Sequence, residues 1–151
     1  MDTRNIREAD GHADTIISAM IVTVIGAAVI PAHVNWAITA SAMGVGVVGI
    51  GLCYGVQLTQ DEAWMLTKQF IKAAGFWFTA MAVGTKLMSA LLETTGIGYA
   101  PAVVLDAAFS VAIANAVGET AKTYFKGTRD QKELGKTFRQ SFNRKEKEGL
   151  G

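Results

Sequence analysis

The feature that most constrains this chain is a run of 44 residues, from 15 to 58, that holds no Asp, Glu, Lys or Arg. A helix on the surface of a soluble domain shows a charged or polar face to water. No helix drawn from this run has a charged face to offer. The other charges come in blocks: six in residues 1–14, four in 59–75, only Lys86, Glu93 and Asp106 in 76–118, and 14 in 119–151, nine of them basic.

Read along the chain, this distribution gives four apolar segments: 15–31, 36–58, 76–92 and 102–118. Segments 15–31 and 76–92 have 17 residues each, the lower limit for a membrane span, and 36–58 has 23, enough to cross about 30 Å of hydrocarbon as a helix. Between the second and third stands Thr59-Gln60-Asp61-Glu62, a capping box that predicts a helix to Ala74 ended by Gly75. It mixes Trp64, Leu66, Phe70 and Ile71 with Lys68 and Lys72, the composition of an interfacial helix. If all four segments span, residues 1–14, 59–75 and 119–151 share one side and hold 13 of the 14 Lys and Arg residues, while the two opposite loops hold none. Bases in short loops gather on the cytoplasmic side, which places both termini there.

Composition excludes several classes. Half the residues are apolar and the net charge is +1, which fits neither an intrinsically disordered chain nor a bulk nucleic-acid binder. Cys53 is the only cysteine, so there is no disulfide framework. The first apolar run follows four acids and two bases, not the basic n-region of a signal peptide. Gly44-Val-Gly46-Val-Val-Gly49 has the spacing of a dinucleotide fingerprint but lacks the flanking strand and helix, and Gly84-Thr85-Lys86 lacks the upstream glycine of a phosphate-binding loop. His12 and His33 belong to no metal-ligand pattern, and no serine sits in a nucleophile motif. The chain reads as no enzyme, with no cofactor and no metal.

The residues singled out are therefore structural or surface groups. Gly44, Gly51 and Gly55 in the second segment, Gly84 in the third and Ala112 in the fourth form small faces suited to close helix packing, within the chain or between copies. Lys86 and Asp106 stand at similar depth in adjacent segments and are expected to form an intramembrane ion pair, fixing helix packing or marking a transport path. In the tail, Leu134, Phe138 and Phe142 make one apolar stripe at i, i+4 and i+8. With Lys136, Arg139, Arg144, Lys145 and Lys147, that stripe would rest on an anionic leaflet or meet a partner; the other reading is a solvated tail that only sets topology.

The order of short motifs resembles a known family. Ala13-Asp-Thr-Ile-Ile17 opens the first helix and Gly26-Ala-Ala-Val-Ile-Pro31 closes it; Tyr54-Gly55-Val56 ends the second; Gly96-Ile-Gly98 precedes a last helix ending in Ala116-Val-Gly118-Glu-Thr-Ala-Lys-Thr-Tyr124-Phe125. Over residues 13–126 this resembles the bacterial domain of unknown function 697, the YcjF-like family. The resemblance implies an α-helical, membrane-associated domain without established catalysis, found fused to or encoded beside Era-like or dynamin-like GTPases.

The expected fold is all-α: a four-helix membrane bundle of two helical hairpins (15–126) with a short interfacial helix, a polar segment at 1–14 and a basic helical tail at 127–151. The expected role is a multi-pass anchor or scaffold in a bacterial inner membrane, partnering the lipid bilayer, a cytosolic GTPase or another membrane protein, or further copies of itself, and no nucleic acid. Two other readings are an oligomeric channel or holin-like permeabiliser and a soluble helical regulatory module.

Overall fold

The computed structural model describes residues 3–27, 32–75 and 99–150. Among these the chain is all-α, with five helices: α1 (Thr3–Ala27), α2 (Ala32–Cys53), α3 (Gln60–Ala74), α4 (Tyr99–Phe125) and α5 (Gln131–Leu150). The third expected segment, 76–92, lies outside the described residues. Residues 3–14 are not a separate polar lead but the first half of α1, which continues unbroken into the uncharged run.

The helices start and stop where local chemistry requires. The Thr59 hydroxyl accepts from the Glu62 amide at 3.2 Å, and the Glu62 carboxylate accepts from the Thr59 amide at 3.1 Å, so α3 has the expected capping box. Gly75 ends α3 at φ +88°, its amide donating to the Lys72 carbonyl at 3.1 Å. Asp130 begins α5, its side chain accepting from the Lys132 amide at 3.0 Å.

The core is built around α4. Ala108, Phe109, Ala112, Ile113, Ala114, Ala116, Val117, Gly118 and Ala121 are all buried, and together they cover most of the helix circumference. A helix apolar on all sides must be enclosed by protein or lipid; the described part of α4 is enclosed by the other four helices. From α1 come Ala9, Ala13, Ile17, Met20 and Val24, a stripe with helical spacing; from α2 come Met43, Val47 and Ile50. Ala63, Phe70 and Ala74 of α3 close a third side.

The fourth side corrects one expectation. Leu134, Phe138 and Phe142 of α5 are each 0% exposed, with the Phe142 ring edge-on to Phe109 at 5.7 Å. The tail stripe is thus part of the core and is offered to neither lipid nor solvent. The buried Asn115 amide donates to the Ser141 carbonyl at 3.2 Å, which satisfies the one amide side chain in this contact. No helix among the described residues is long and apolar enough to cross a membrane.

Small residues set how closely the helices approach. A Cβ on Gly46 would strike the Met20 side chain, one on Gly49 would stand 3.1 Å from Ile16, and one on Gly118 would stand 2.5 Å from Ile17. A Cβ on Gly135 would strike the carbonyl oxygen of Ala73, where no side chain can yield. Glycine inside a helix ordinarily costs about 1 kcal/mol relative to alanine. Gly11→Ala, with open space around it, should therefore raise stability by up to that amount. Gly135→Ala should lower stability despite the better propensity, and Phe138→Ala should lower it by roughly 3–5 kcal/mol through the cavity left behind. Thermal unfolding followed by circular dichroism checks all three.

Candidate functional site

The first cluster of functional groups is a charged clasp at one end of the bundle. Asp10 and Asp14 lie one turn apart on α1, and Lys122 in the last turn of α4 is followed four residues later by Lys126, just past its end. The helices are antiparallel, so each acid meets one base: Lys122 Nζ stands 2.6 Å from Asp14 Oδ1, and Lys126 Nζ stands 3.3 Å from Asp10 Oδ1. Glu119 adds a second carboxylate 3.7 Å from Lys122. The Tyr54 hydroxyl, just past the end of α2, donates to Asp10. Three helices distant in sequence are thus tied at one level.

Electrostatics follow from these contacts. Burial of the Asp10 carboxyl opposes ionisation, but hydrogen bonds from Tyr54 and Lys126 and the charges of Lys126 and Lys122 outweigh it, so Asp10 titrates below the ordinary aspartate range. Burial of Lys122 favours its neutral form, but the hydrogen bond to Asp14 and the charges of Glu119, Asp14 and Asp10 outweigh that, and its pKa is raised. Each of these carboxylates is held by a cation or a hydroxyl, and no nucleophile stands among them. Among the described residues no group of three or more His, Cys, Asp or Glu could hold a metal ion.

The second feature is the outer side of the α1–α2 hairpin. Val22 is 68%, Ile25 51% and Val45 57% exposed. Between the helices runs an open groove of about 630 Å³, lined by Ile16, Met20, Thr23, Ile38, Ser41 and Val45 together with small residues. Nothing in its lining is charged.

The residues singled out by spacing are dispersed. Gly44 lies against the Gln60 side chain at the start of α3, and Gly51 against the Val56 carbonyl and Phe125. Gly55 is not in a helix: it occupies the turn after α2 at φ +78°, with open space around it, and backbone conformation rather than packing calls for glycine. Ala112 is fully buried in α4. Gly84 and Lys86 lie outside the described residues, and the expected Lys86–Asp106 pair with them; Asp106 stands on α4. On α5, Lys136 and Arg144 are exposed, Lys145 is half-buried, and Lys147 lies in the last turns. Arg139 instead donates to the Ala74 carbonyl at 3.0 Å, capping the end of α3.

The clasp was missed by motif reading because its partners are 44, 108 and 116 residues apart. Its one signal is that two acids and two bases each recur at a spacing of four at the edges of apolar runs.

A model of the family described as Domain of unknown function (DUF697) matches residues 4–147, and the chain belongs to that family. No curated protein and no solved structure matches the chain.

The clasp makes stability depend on pH in a defined direction. A carboxylate held below its ordinary pKa of about 4 contributes fully above that value and loses the contribution as pH falls through the lower native one. The fall in melting temperature between about pH 5 and pH 2 should be smaller in Asp10→Asn than in the unaltered chain. An equal fall in both would remove Asp10 from the account.

Proposed function

We propose that this DUF697 member is a membrane-anchored helical scaffold in which the uncharged outer face of the α1–α2 hairpin enters the bilayer, leaving the charged start of α1 outside it. The observation that carries the reading is the exposed apolar face of that hairpin inside a run of 44 residues without charge. Water-facing positions there are Ser18, Ala19, Val22, Thr23 and Ile25 on α1, and Ala37, Ser41 and Val45 on α2. A contiguous apolar surface of this kind marks a membrane or protein contact.

The clasp supports the placement, because it holds Asp10 and Asp14, the last charged groups of α1, at one level with Lys122 of α4. Beyond it α1 runs 13 uncharged residues to Ala27, about 20 Å of helix. That is less than the roughly 30 Å of a hydrocarbon core, so the reading asks the described part of α1 only to enter. The fourth apolar segment needs no lipid to explain it, since α4 is covered by α5 with its basic residues. The proposed scaffold accordingly presents α5, with Lys136 and Arg144 exposed, to cytosolic partners; a GTPase is the partner class implied by the family resemblance.

The decisive measurement is alkaline carbonate extraction of membranes from cells expressing the chain. Retention in the pellet is expected. Val22→Asp combined with Val45→Asp should shift it to the supernatant, since an aspartate at the centre of an inserted helix costs about 3 kcal/mol. Both positions face outward, so the variant should keep its helical circular dichroism. Release of the unaltered chain by carbonate would overturn the anchor and leave the hairpin face to a protein.

A further inference from the structure

We propose that the outward face of α3 is an interface between two copies of this chain, in which their α3 helices pair antiparallel about a two-fold axis. This contact goes beyond the reading of the hairpin and does not depend on it. Asp61, Met65, Lys68 and Lys72 are all exposed. They lie within about 60° of one another around the helix, opposite the buried Ala63, Thr67, Phe70 and Ala74. The bundle thus covers one side of α3 and leaves the other in the open, with Met65 67% and Trp64 38% exposed.

The order of these residues selects the occupant. Positions 61, 65, 68 and 72 are separated by four, three and four residues, a spacing that reads the same from either end. Alternating steps of three and four are those by which paired helices pack knobs into holes. Against an antiparallel copy, Asp61 therefore meets Lys72 of the second copy, and Met65 meets Lys68 of the second copy. The two-fold axis makes each meeting occur twice. At both ends of the seam a carboxylate stands opposite an ammonium. At its centre the lysine stem lies along methionine while the charged head stays in water. On the flanks Trp64 comes beside Ile71 of the second copy, and Glu62 beside Gln69 of the second copy.

Within one chain these charges are unused. No ion pair among the described residues engages Asp61, Lys68 or Lys72. Lys68 and Lys72 stand one turn apart and repel each other. Glu62 is committed locally, its carboxylate accepting from the Thr59 amide. A uniformly anionic surface would answer the two lysines but would meet Asp61 in the same row and Glu62 beside it. The face calls for a mate with bases at one end and an acid at the other, and an antiparallel second copy supplies that. One 15-residue helix from each copy makes a contact at the small end of specific interfaces, so the pair is reversible rather than obligate.

The test uses the purified full chain in mild detergent, followed by sedimentation equilibrium. The unaltered chain should associate reversibly to a dimer. Asp61→Lys alone and Lys72→Asp alone should each raise the dissociation constant roughly tenfold, since two ion pairs become two like-charge contacts. An equimolar mixture of the two variants should recover the unaltered affinity, because every facing pair is again one acid and one base. Mixing does not repair a folding defect, so recovery separates lost pairing from lost structure. In a Cys53→Ser background, oxidation should join Asp61→Cys chains to Lys72→Cys chains roughly fivefold faster than either to itself, because like positions stand about 16 Å apart along the antiparallel axes. A chain that stays monomeric at the highest concentration reached would overturn the inference and leave the face to a different partner. So would a dimer that neither charge reversal weakens, a mixture that fails to recover, or disulfides that join like positions fastest.

Discussion

A helix apolar over most of its circumference must be covered by protein or by lipid, and α4 settles the arrangement of this molecule by being covered by protein. Most of its described circumference is small or apolar, with Glu119 and Lys122 at one edge near its end, so α1, α2, α3 and α5 are placed by the need to cover it. Alanine at 108, 112, 116 and 121 and glycine at 118 let those neighbours come close. Two of the polar side chains carried inward are satisfied: Thr120 bonds back to the Ala116 carbonyl at 2.7 Å, and Asn115 reaches the backbone of α5. Covering α4 consumes the Leu134, Phe138 and Phe142 stripe, leaving the basic residues of α5 outward or at its edges. A helix that looks in isolation like a membrane-surface element is in the fold a lid on the core.

This shows where the sequence was legible and where it was not. The capping box at Thr59 and Glu62, the stop at Gly75 and the all-α class could be read directly, because each depends on residues within one turn or on local periodicity. The Gly51-x-x-x-Gly55 spacing suggests a packing face because GxxxG carries no information on where a helix ends; α2 stops at Cys53 and Gly55 serves conformation instead. The tightest approaches fall on Gly46, Gly118 and Gly135, whose neighbours come from another helix, and Gly44, Gly49 and Gly51 also stand in close contacts. The destination of the tail stripe was open for the same reason: apolar spacing says that a face is covered, not by what.

The charged clasp illustrates the converse. Asp10, Asp14, Lys122 and Lys126 looked like scattered charges flanking apolar runs, yet antiparallel packing of α1 on α4 turns their two spacings of four into matched pairs. An ion pair exposed to water is worth about 1 kcal/mol or less, so the clasp is not what holds the bundle together. What it does is fix register. Slipping α1 by a turn would strand one acid and one base, and it would also drive Ile17 away from the gap that Gly118 leaves for it. Tyr54 adds the end of α2 to the same level through Asp10.

The clasp also divides the surface. On its side lies the charged start of α1; on the other, the outer face of the hairpin exposes valine, isoleucine, serine and alanine with no charge among them. Hydrophobic burial inside the bundle cannot account for side chains that the bundle leaves outside. Val22, Ile25 and Val45 already have a core beside them and do not enter it. Their apolarity calls for an apolar covering that the other described residues do not supply, and a hydrocarbon phase asks only that such a face lack charge. A protein partner would ask for more: polar groups placed to pair with its own, of which the α1–α2 groove offers little beyond the Thr23 and Ser41 hydroxyls. The Thr23 hydroxyl is already turned back to the Ala19 carbonyl at 2.9 Å. A surface so short of directional groups is suited to a solvent rather than to a specific mate.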